Sequence, residues 1–141
     1  MPPKFTVFRI AEDYPADGRP SYGLQPVYYY LSREQAILGN EVHVIALRRG
    51  LQRSIEYYDS VTVHRIGKPF NLTALKKLRS LSRASERPII HTHSTSGLLF
   101  GPMNQFLGIP LVSHVHGSTI SRHMPIKLSL EGTQLDYSIS K

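Results

Sequence analysis

Apolar residues recur along the chain in short runs whose period changes from segment to segment. Lys4 to Ile10 alternates and is rich in Phe, Val and Ile, and Glu41 to Leu47 and Val61 to Ile66 have the same β-branched character. All three are predicted strands. Between the first two, Tyr22 to Gly39 is predicted to be helical: Pro26 suits a first turn, Val27, Tyr30, Leu31, Ile37 and Leu38 form the inward stripe, and Gly39 and Asn40 mark the stop. A second helix is expected from Asn71 as its cap, with Leu72, Leu75, Leu78 and Leu81 inward and its basic residues outward, ending before Pro88. Pro88 to His93 and Pro110 to His116 are further apolar runs, each opened by proline. Ser96 to Leu107 between them fits a short helix, and Leu135 to Ser140 fits one more strand.

Strands alternating with helices of this length favour a parallel sheet, because parallel neighbours need crossover connections that cover both faces. The expected fold class is α/β, a Rossmann-like, doubly wound, mainly parallel sheet. The 141 residues, 40% of them hydrophobic, suit one domain spanning residues 1–141. In such sheets the ligand crevice lies beyond the carboxyl ends of the strands, which directs attention to the loops after Ile10, His93 and His116.

Charge changes the picture modestly. Seventeen basic against ten acidic residues give a formal charge of +7, which attracts phosphates of any kind. The basic residues gather at Arg48, Arg49 and Arg53 and again at Lys76, Lys77, Arg79, Arg83 and Arg87. Solvated faces account for them, and contact with an anionic membrane surface is the functional alternative. No helix-turn-helix, RNA-recognition or zinc-finger pattern accompanies them, so no nucleic-acid partner is expected. There are no cysteines, no stretch resembles a signal peptide, and none approaches the roughly 18 apolar residues of a membrane span. The expected location is cytoplasmic, with peripheral contact at the inner membrane face.

The first loop, Ala11 to Tyr22, lacks the Gly-x-Gly-x-x-Gly and Gly-Lys-Ser/Thr patterns that cradle phosphates, although Gly23 near the helix start would let a ligand approach the backbone. Two His-x-His pairs, His91-Thr92-His93 and His114-Val115-His116, end apolar strands, and period two puts both members of a pair on one face. Near neutral pH such imidazoles can donate hydrogen bonds to sugar hydroxyls or stabilise developing charge. A metal site would want a further carboxylate or water partner, and no acidic residue lies near either pair in sequence, so no metal and no cofactor are expected. Gly117 and Ser118 can begin a helix facing the same crevice. His43, His64 and His123 receive no role. Without a Gly-x-Ser-x-Gly elbow, acyl hydrolysis is not expected.

The order of these features resembles the acceptor-side domain of family 4 retaining glycosyltransferases, enzymes of GT-B architecture with two facing Rossmann-like domains. The parts are Gly23 before a long first helix, the segment Leu38 to Ile45, the strand Pro88 to Ser94 ending in His-x-His, the proline-led strand Ile109 to Gly117 ending in His-Gly, and Asp136 to Ile139 as the next strand. Asn40 stands where the family usually has histidine, and a single Gly23 stands where it usually has paired glycines.

The resemblance implies transfer of a sugar from a nucleotide-sugar donor to a sugar or lipid-linked acceptor with retention. His116 would then be catalytic and lie nearest the transferring sugar, while Gly23, His93, Ser94, Gly117 and Ser118 would bind substrate. It also implies a second, C-terminal domain that holds most of the donor. The chain alone is therefore expected to be inactive, with weak self-association through its uncovered cleft face. A noncatalytic carbohydrate- or nucleotide-binding domain is the alternative.

Overall fold

The computed structural model describes residues 4–93, 100–101 and 105–114, and the backbone of residues 129–130 and 133–134. Its centre is a six-stranded sheet. Strands β1 (Thr6–Ile10), β2 (Glu41–Leu47), β3 (Ile55–Tyr58), β4 (Val61–Ile66), β5 (Pro88–His93) and β6 (Leu111–His114) are ordered β3-β4-β2-β1-β5-β6. All neighbours are parallel except β3, which forms an antiparallel hairpin with β4. This is the expected α/β Rossmann-like sheet. A small antiparallel pair, β7 (Ser129–Leu130) and β8 (Thr133–Gln134), stands apart from it.

All five residues of β1 are buried, because the strand lies in the middle of a sheet covered on both faces. On one face Phe8, Ile10, Ile45, Ile66 and Ile90 pack against helix α2 (Phe70–Ser82) through Phe70, Ala74 and Leu78. On the other, Val7, Val42, Val44, Val61 and Val63 pack with Tyr14 and with Tyr28 of helix α1 (Gln25–Ile37). Each fully buried Phe or Leu side chain contributes about 1.5–3 kcal/mol relative to exposure.

Helix α1 stops as the sequence predicts. The amides of Gly39 and Asn40 donate to the carbonyls of Ala36 and Gln35, at 2.9 and 3.2 Å, a Schellman closure. Its buried face departs from the apolar stripe. Tyr30, Ile37 and Leu38 are exposed, whereas Gln25, Tyr28 and Ser32 are buried. The sheet presents a buried guanidinium beneath the helix, and that group needs oxygen acceptors. Helix α2 also departs from expectation. It starts at Phe70 with Pro69 at the cap position, ahead of Asn71, and buries Phe70, Ala74 and Leu78 while Leu72 is half exposed. With the cap two residues earlier, Phe70 joins Ala74 and Leu78 on the i, i+4, i+8 face that meets the sheet.

The hairpin strand β3 was not predicted. The short helix expected between β5 and β6 has helical backbone at residues 100–101 and 105–107, with Phe100 and Ile109 buried on the α2 side. The run from Pro110 becomes β6 over Leu111–His114, and the strand expected at Leu135 to Ser140 lies outside the described residues.

Candidate functional site

From β1 the chain passes through α1 to β2 on one side. From β4 it crosses through α2 to β5 on the other side of β1. Strands β1 and β5 are therefore the switch point, and the loops that follow them diverge to leave a crevice at their carboxyl ends. The loop after β1 is tied down. Arg65, buried on β4, donates to the carbonyls of Tyr14 and Pro15 at 2.9 and 2.6 Å and pairs with Glu56 on β3 at 2.7 Å. Two open depressions mark this rim. One of about 530 Å³ lies between the loops after β1 and β4, against Glu12, Lys68, Phe70 and Asn71. The other, of about 700 Å³, lies beside β3.

On the α1 face the register aligns Arg9 with His91 and His93 with His114. Three imidazoles consequently meet at the end of β5 and β6, with ring centroids 4.5 Å apart for His91 and His93 and 5.7 Å for His93 and His114. Tyr28 of α1 meets His93 edge-on at 4.9 Å and closes the group from the helix side. His91 and His93 are buried, and His114 is exposed on the outer strand.

Arg9 sits behind this group, fully buried. Its Nη1 donates to Ser32 Oγ, and its Nη2 donates to Gln35 Oε1 at 2.7 Å and to His91 Nδ1 at 3.0 Å. Ser32 Oγ in turn donates a hydrogen bond to the Tyr28 carbonyl at 2.6 Å. Burial lowers the guanidinium pKa to about 10, which still leaves it charged at neutral pH. Among the described residues no carboxylate forms an ion pair with it. Arg9 therefore places a fixed positive charge behind the imidazoles.

The ligating nitrogens of His91, His93 and His114 lie within 4.8 Å of one another, close enough to suggest a metal ion. A tetrahedral zinc, with Zn–N near ~2.0–2.1 Å, would draw them closer still. Arg9 opposes this in two ways. Arginine has no lone pair, so His91 Nδ1 must be the acceptor and its ring proton resides on Nε2. Ligation by Nε2 would then displace that proton, and a dication would lie beside an uncompensated cation. The arrangement suits imidazoles acting as hydrogen-bonding groups towards an oxygen-rich or anionic ligand.

The family model described as Glycosyltransferase Family 4 matches residues 22–135. The chain belongs to that family. No curated protein matches the chain. The family match covers α1 through β8 and includes every residue singled out from the sequence, while Arg9 on β1 precedes it.

Within this family 4 domain the predicted residues are placed unevenly. His93 ends β5 at the switch point, buried against Tyr28. Gly23 is exposed on the same rim, two residues before α1, with φ +58° and nothing within 4 Å of where a Cβ would stand. That positive φ is a backbone state in which glycine is at ease and other residues are strained. Ser94, His116, Gly117 and Ser118 lie outside the described residues.

His91 and His114, the first members of the two His-x-His pairs, join His93. His43 and His64 meet each other at 3.1 Å on the opposite, α2 face of the sheet, away from the crevice. Sequence reasoning missed Arg9. The available signal was a lone charge in the apolar run Thr6–Ile10, matched by Ser32 and Gln35 on a helix that otherwise offers enough apolar residues for a stripe.

Proposed function

We propose that this domain forms the acceptor-side half of a retaining glycosyltransferase whose nucleotide-sugar donor is held chiefly by a second α/β domain. The bond between the anomeric carbon and the departing diphosphate oxygen breaks, an acceptor hydroxyl oxygen bonds to the same face of that carbon, and its proton leaves with the diphosphate. Positive charge develops on the sugar ring during the exchange and needs electrostatic stabilisation. His116 is the residue assigned to the reacting sugar, with Gly117 and Ser118 shaping its loop. His93 and Ser94 contact acceptor or sugar hydroxyls, and Gly23 lets the ligand approach the backbone from the opposite rim. The natural setting of this reading is the cytoplasmic side of a membrane, where lipid-linked acceptors are accessible.

The observation that carries the reading is the position of His93. It ends the strand beside β1 at the switch point, inside the residues matched by the family model. The test is a transfer assay on the product of the whole reading frame that contains this chain, with nucleotide sugars and sugar or lipid-linked acceptors and the anomeric configuration read by NMR. Retained configuration, a loss of about 100-fold or more in His116→Ala, and no turnover by residues 1–141 alone are expected. Sugar binding without transfer by the whole product would establish the noncatalytic binding domain instead.

A further inference from the structure

The loop joining β2 to β3 reads Arg48-Arg49-Gly50-Leu51-Gln52-Arg53-Ser54, with three arginines and no acidic residue. It turns tightly. The amide of Gln52 donates to the Arg49 carbonyl at 3.3 Å, and the Gln52 side chain accepts from the Arg49 amide at 2.8 Å. Gly50 supplies the positive φ, +56°, that a turn of this hand requires. The turn leaves Leu51 at its tip, 104% exposed. Beyond it on β3, Ile55 and Tyr57 share one outward face at 41% and 74% exposure, and with Leu51 and Arg53 they line the open depression beside that strand.

With Ile55 and Tyr57, the exposed Leu51 forms an apolar patch bordered by arginines, and apolar surface rimmed by charge is the kind that marks an interaction site. The pairing matches one surface chemistry. An anionic bilayer accepts guanidinium groups at its phosphates and an aliphatic side chain just below them. Nucleic acid would use the charges but has no place for the leucine. We infer that the Arg48–Arg53 turn is a membrane-docking tip, with Leu51 inserting among lipid headgroups and Arg48 and Arg53 contacting their phosphates.

Arg49 contributes less, because it is shared with Asp13 at 3.6 Å. Strands β2 and β5 run parallel to β1, so this loop and the crevice leave the same edge of the sheet, and docking brings the crevice rim towards the headgroups. The inference does not depend on sugar transfer.

Sedimentation of the chain with phosphatidylglycerol-containing vesicles, compared with pure phosphatidylcholine vesicles, tests it. Binding should require the anionic lipid and fall about fivefold for each of Arg48→Gln and Arg53→Gln. Leu51→Ser should cost about as much. A triple variant of the exposed face of α2, Lys76→Gln, Arg79→Gln and Arg83→Gln, should retain most of the binding. Failure to sediment with either vesicle overturns the inference. So does binding that the α2 variant abolishes and Leu51→Ser leaves intact, or salt-sensitive binding to an oligonucleotide to which Leu51 is irrelevant.

Discussion

Arg9 Nη2 lies 3.0 Å from His91 Nδ1, deep in the α1 face of the sheet. One hydrogen bond joins the buried Arg9 guanidinium to the imidazole cluster at the crevice, and it sets which ring nitrogen of His91 carries the proton. His91 is thereby held with its ring proton on Nε2, the nitrogen remote from Arg9, and with a fixed cation at Nδ1.

Replacing Arg9 with Ala should destabilise the domain by about 3 kcal/mol, because Ser32, Gln35 and His91 lose a shared donor and a cavity opens between sheet and helix. Urea unfolding measures this. The sharper check is 15N NMR of the imidazoles. The wild-type chain should show His91 protonated at Nε2, and Arg9→Met should shift it towards a tautomer mixture. A wild-type His91 protonated at Nδ1 would exclude the bond.

His64 gives the domain an acid-sensitive element on the α2 face. Its Nε2 meets His43 Nδ1 at 3.1 Å, and His43 Nε2 meets Glu41 at 3.1 Å. Burial, then Lys77 on α2, then His43 depress its pKa from 6.5 to about 4. The unfolded chain therefore binds a proton more readily than the folded one between these values. Stability from this group is complete above pH 6.5 and is lost as the pH falls towards 4, by about 3 kcal/mol at the lower end. Urea unfolding at pH 7 and pH 4 should show this component in the wild type and lack it in His64→Leu. An identical pH dependence in the two proteins would remove His64 as the cause.

Two leucines on α2 separate the apolar spacing of the sequence from the packing of the fold. Leu78 is fully buried against the sheet, and Leu72 is 50% exposed near the start of the helix. Leu78→Ala should cost about 3 kcal/mol, and Leu72→Ala less than about 1 kcal/mol. Equal costs in a thermal or urea titration would mean that the helix sits rotated from the position described.

Much of this architecture is legible in one dimension. Strands β1, β2, β4 and β5 are buried on both faces, so they appear as short β-branched runs whatever their partners, and the Gly39-Asn40 stop is a local hydrogen-bonding pattern. The His-x-His pairs are equally visible, since the side-chain period of a strand is a property of its backbone.

Other features exist only after long-range pairing. Strand β3 alternates exposed Ile55 and Tyr57 with half-buried Glu56 and Tyr58, and its edge position follows from antiparallel pairing with β4. The buried face of α1 follows from the guanidinium beneath it. The meeting of Arg9, His91 and His114 depends on the register of three strands that are remote in sequence. Backbone period and capping are set by nearby residues, whereas the side chains that share a low-dielectric space are chosen by sheet order, which no local stretch contains.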